Sequence, residues 1–201
     1  RSHGATIACF AHSVEEAKGV IFAAAESRRR NKVPSRVYGV HAWAVRENID
    51  YHDLLVRMEG LTSRLEDHQV AVVERPDHNP RIEVSEDDLR RRLETSINYR
   101  LDDTLLRDLD SLVSVHLLRD GRAHGSIETC VAVLITDNDS LAKVGRDFFS
   151  HEGHRWPVAT TTSDLATILY LKDPQQASTI PNLMLMAEAY SALEPGSALW
   201  A

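Results

Sequence analysis

Five consecutive apolar residues, Val131 to Ile135, run straight into Thr136-Asp137-Asn138-Asp139-Ser140, and this junction constrains the fold more than any other stretch of the chain. The run is too short for a helix and largely β-branched. It therefore predicts a strand buried on both faces of a parallel sheet, with the central position in that sheet. Leu141, Val144 and Phe148 then recur at helical spacing. A polar cluster thus sits where strand becomes helix, which is where open α/β sheets hold ligands. Thr, Asp, Asn and Ser are also the preferred helix caps, so the same cluster has a purely structural reading. Carboxylates elsewhere in the chain must separate the two.

Strand-like and helix-like stretches alternate along the chain. Ala5 to Phe10 reads as a buried strand, and Ser13-Val-Glu-Glu16 as a capping box opening a helix to about Arg30, with Ala17, Val20, Ile21 and Ala24 as its apolar face. The basic run Arg28 to Lys32 fits the last turn of that helix as a solvated end, and Pro34 stops it. Val37 to Val45 admits strand or helix, with Val37, Val40 and Ala44 at helical spacing. Tyr51 to His68 reads as one amphipathic helix on Leu54, Leu55, Met58, Leu61 and Leu65, and Gln69 to Val73 as a strand near a sheet edge. Ser85 caps a further helix, and Arg100 to Arg119 is a helix whose C-terminal turns are strongly apolar. Trp156 to Thr160 is a strand candidate, Ser163-Asp164 caps a helix to Lys172, and Pro181 starts a last one to Leu193. This alternation predicts an α/β fold with a mainly parallel central sheet between helical layers. Without repeats or a low-complexity linker, 1–201 reads as a single domain.

With 23 Lys+Arg against 30 Asp+Glu and a formal charge of -7, bulk charge alone does not hold nucleic acid to this chain, although a bound metal reverses the sign locally. Cys9 and Cys130 lie in apolar runs and read as free thiols. His151 and His154, the one close histidine pair, read as part of a surface turn. With no apolar run near the ~18 residues of a membrane span and no leader-like segment, the expectation is a cytoplasmic protein with no membrane partner.

The carboxylates fall into three groups: Glu16 after the first strand, Asp108 and Asp110 at the start of the apolar half of a helix, and Asp137, Asn138 and Asp139 after the central strand. Strand-to-helix turns of a parallel sheet share one edge, so the first and third groups can meet there. Asp110 and Ser114 lie one turn apart on one helix face, with Asp108 pointing elsewhere as a secondary candidate. Two or three convergent acidic groups are what a hard cation requires.

Three places carry a resemblance to the PIN-domain family of metal-dependent nucleases. They are Phe10-Ala-His-Ser-Val-Glu-Glu16, Asp110-Ser-Leu-Val-Ser-Val, and Thr136-Asp-Asn-Asp-Ser-Leu-Ala142. The resemblance covers the N-terminal thirty residues or so and Leu101 to Leu171; residues 33–98 resemble an added helical region. It implies a three-layer α/β/α fold, with Glu16 and Asp110 as ligands to Mg²⁺ or Mn²⁺, Thr136 as an orienting hydroxyl and Asn138 at the last acidic position. Asn138 stands where the family usually has Asp, so Asp137 or Asp139 would have to serve a second metal. The family also opens with a strand ending in an essential Asp, and none precedes Ala5. The resemblance therefore implies an N-terminally incomplete domain, whose central strand an upstream segment or a homodimer partner would cover. The activity implied is hydrolysis of RNA in preference to DNA, with Arg119, Arg122, Arg146 and Arg155 as substrate contacts or ordinary surface arginines. The alternative is a non-catalytic PIN-like module that binds nucleic acid or a protein partner.

Overall fold

A computed structural model describes residues 5–30, 39–149 and 156–172. The last expected helix, the His151–His154 pair and Arg155 lie outside the described residues. The chain divides into two compact units, Arg1–Arg122 and Ala123–Ala201. Both are α/β, as the alternation predicts, and each contains a two-stranded parallel sheet among its described residues.

In the first unit, β1 (Ile7–Phe10) runs directly into α1 (Ala11–Arg29) and pairs in parallel with β2 (Val70–Val73), Ile7 opposite Val70 and Phe10 opposite Val73. The connection between them is helical: α2 (Gly39–Arg46), α3 (Tyr51–Glu59) and α4 (Leu61–Asp67). The ambiguous stretch after Val37 is thus helix from Gly39 onward. The single helix expected over Tyr51–His68 is two helices joined at Gly60, which is both the C-cap of α3 and the N-cap of α4. The capping box at Ser13 is not formed. Because β1 passes into α1 without a loop, the buried Phe10 is the N-cap and makes no side-chain cap, and Ser13 lies inside the first turn. The buried residues of α1 are Val14, Ala24 and Ala25, while Val20 is exposed. Ala24 and Ala25 join Ala44, Ile49 and Leu54 in one apolar cluster, against which Ile21, Val40, Trp43, Tyr51 and Leu55 pack.

The unit closes with α5 (Glu86–Ser96), capped by Ser85 as expected, and α6 (Asp102–Leu118). Leu89 and Leu93 of α5 and Leu105 and Leu112 of α6 are among the largest fully buried side chains. A Schellman turn ends α6: the Gly121 N–H donates to the His116 carbonyl at 3.1 Å and the Asp120 N–H to the Leu117 carbonyl at 2.8 Å. Asp120 and Gly121 both have positive φ, 54° and 68°, and a Cβ at Gly121 would press on Ile82 at 3.2 Å. The loop carrying Ile82 is thereby seated on the end of α6.

In the second unit, β3 (Leu134–Thr136) pairs in parallel with β4 (Ala159–Thr161), and the strands are followed by α7 (Asp139–Phe149) and α8 (Thr162–Lys172). The expected strand Val131–Ile135 is corrected here. Pairing begins only at Leu134, whose N–H donates to the Val158 carbonyl at 2.9 Å, while Val131 is 68% exposed and Ile135 48%. Pairing stops at Trp156, the next residue back whose backbone groups would face β3, because it forms an antiparallel bridge with His124 instead, its N–H donating to the His124 carbonyl at 2.6 Å. Leu141, Ala142, Val144 and Gly145 form the buried face of α7. No helix among the described residues is long and apolar enough to cross a membrane.

Candidate functional site

His12, in the first turn of α1, reaches the middle of α6, where its Nε2 lies 2.9 Å from the Ser111 hydroxyl. That hydroxyl donates its own proton to the Arg107 carbonyl at 2.8 Å. Only its oxygen lone pair remains for the histidine, so the Nε2–H tautomer is the one that satisfies both bonds. On its other side the ring stacks on Phe10, centroids 5.2 Å apart and planes within 12°.

Three carboxylates, Asp108, Asp110 and Glu16, act on this imidazole. Burial nevertheless dominates and holds the His12 pKa below the ordinary histidine value, with the Arg107 charge adding to the depression and the carboxylates opposing it. Asp108 shifts the other way. Its burial raises its pKa and the Glu16 charge adds to the rise, against a 2.7 Å hydrogen bond donated by the Tyr99 hydroxyl and the influence of His12. Tyr99 in turn is pushed well above the ordinary phenol range by burial first and then by Asp108.

Arginines engage the two outer carboxylates. Arg107 lies 3.6 Å from Glu16, while Arg75, just beyond β2, pairs with Asp110 and holds Glu86 at 3.0 Å. The arrangement is an acidic centre on α1 and α6 that carries its own counter-cations. Among the described residues, no group of three or more His, Cys, Asp or Glu side chains could hold a metal ion.

Glu16 and Asp110 therefore share one locality within the first unit, and Asp108, expected to point elsewhere, belongs to it. Sequence reasoning also passed over His12, Ser111, Tyr99, Arg75 and Arg107. His12 and Ser111 stood within two of the motifs that carry the resemblance, but their pairing is tertiary, as is that of Arg75, which is 35 residues from Asp110.

The expected residues of the second unit have local roles. Asn138 caps α7 by accepting from the Leu141 N–H at 3.1 Å, and its own N–H donates to the Thr136 hydroxyl at 3.1 Å. Asp137 accepts from the Thr162 hydroxyl at 2.6 Å, tying the end of β3 to the start of α8. Asp139 is exposed in the first turn of α7, where its charge complements the helix dipole. Of the arginines expected to meet substrate, Arg119 is buried, at 2% exposure. Arg122 pairs with Asp120 at 3.1 Å, and Arg146 is exposed in the last turn of α7. No known protein family, curated protein or solved structure matches the chain.

Proposed function

We propose that the chain is a PIN-like, metal-dependent nuclease that hydrolyses RNA phosphodiester bonds, with the three-layer architecture of that family. The observation that carries this reading is the grouping of Glu16, Asp108 and Asp110 about His12, on the two helices where the resemblance put acidic residues. Carboxylates gathered on rigid helices are the chemistry that oxygen-preferring cations use against phosphodiesters.

Mg²⁺ or Mn²⁺ is the cofactor this reading implies, and the described residues do not fit it as they are arranged. Arg107 and Arg75 take the positions that a cation would take on Glu16 and Asp110, and no hydrolytic step is assigned to a metal. The same two arginines favour a second reading, a non-catalytic PIN-like module that binds RNA or a protein partner.

Calorimetric titration with Mn²⁺ separates the two. The nuclease reading expects measurable affinity that disappears in Glu16→Gln and in Asp110→Asn. Absence of Mn²⁺ affinity in a folded chain that still binds RNA would establish the non-catalytic module instead.

A further inference from the structure

Beside the acidic centre, in the same unit, is a cavity of about 330 Å³. Its floor is apolar, formed by the Val113 and Leu117 side chains of α6 with Ile82 from the loop seated on Gly121. Its rim is polar and exposed: Arg75, Asp77, His78 and Glu86. An apolar floor under a few polar groups is the usual build of a small-molecule site, and this volume lies at the small end of the range, room for one ring system.

We infer that this cavity is a subsite for a single nucleobase of RNA, an inference that rests on RNA being what the chain binds. Arg75 is already engaged by Asp110 and Glu86, and with Asp77 the rim is net acidic, so a phosphate would be repelled. A neutral heteroaromatic ring escapes that repulsion: its faces lie on the apolar floor or against the His78 imidazole, and its edge donors meet the Asp77 and Glu86 carboxylates at the rim. Unstacked RNA bases are held in this way, by stacking on flat side chains and by hydrogen bonds to their edges. Arg75 borders the base pocket and also binds Asp110, so a base in the cavity lies next to the acidic centre.

The test is isothermal titration of the 201-residue chain with adenosine, guanosine, cytidine and uridine in the absence of divalent cations. These probes carry the base without phosphate. At least one is expected to bind saturably, with affinity about tenfold weaker in Ile82→Trp, which fills the floor, and several-fold weaker in His78→Ala, an exposed position that leaves folding intact. If Ile82→Trp melts early, His78→Ala alone decides. No saturable binding of any of the four, or equal affinity in His78→Ala, overturns the subsite. Mn²⁺ affinity without nucleoside binding removes the subsite and leaves the nuclease reading standing; nucleoside binding without Mn²⁺ affinity does the reverse.

Discussion

Burial moves His12 and Asp108 in opposite directions, because it penalises the charged form of each. For His12 the folded pKa is depressed, so the unfolded chain binds the proton more tightly. The stability this histidine contributes is present above about pH 6.5, its ordinary value, and is lost as pH falls through the folded pKa. For Asp108 the folded pKa is raised, so its contribution is present below the ordinary value of 3.8 and is lost as pH rises through the folded value. Its charged form is a cost that the Tyr99 hydroxyl offsets in part. The difference in melting temperature between the parent and His12→Gln, which keeps a donor for Ser111, cannot titrate and leaves Asp108 in both chains, should therefore shift against the parent as pH falls from 8 to 5. A difference that stays constant over that range would place the pH dependence elsewhere. The acidic residues of this centre were legible in the sequence because Glu and Asp after a strand or inside an apolar helix are conspicuous. Their cations were not, since nothing local to Arg75 or Arg107 says which carboxylate each will meet.

Asn138 and Ser13 looked equivalent as helix starters and differ in what precedes them. The three residues of β3 end before the turn that places Asn138 at the cap of α7, whereas β1 continues into α1 and carries Ser13 past the cap position. Asn138→Ala should cost about 1 kcal/mol, and Ser13→Ala should stay within about 0.5 kcal/mol of the parent, read by chemical denaturation. Equal losses would mean that α1 starts at Ser13 after all. The helices that the sequence announced most clearly, α5 after Ser85 and the long α6, are those whose caps and apolar spacing are local. The strand run after Cys130 misled because strand length is set by the partner, and Trp156 leaves that partner strand for a bridge with His124.

With a charge of -7, the molecule as a whole has no general attraction for RNA, so on the proposed reading recognition would have to come from local groups. The acidic centre already holds Arg75 and Arg107, which compete with a cation, and Asn138 is committed to a cap. On the nuclease reading, any hydrolysis is therefore expected to be slow and to need Mn²⁺ well above trace concentrations. The fold class was readable from the alternation of strands and helices; the division into two compact units was not, because no change of composition marks residue 122. The most direct measurement is the cleavage rate of a single-stranded RNA oligonucleotide by the purified chain across a Mn²⁺ series, beside Asp110→Asn and Glu16→Gln of unchanged melting temperature. The account predicts slow Mn²⁺-dependent cleavage that both substitutions abolish; cleavage that persists in either variant, or RNA that binds and stays intact at every Mn²⁺ concentration, contradicts it.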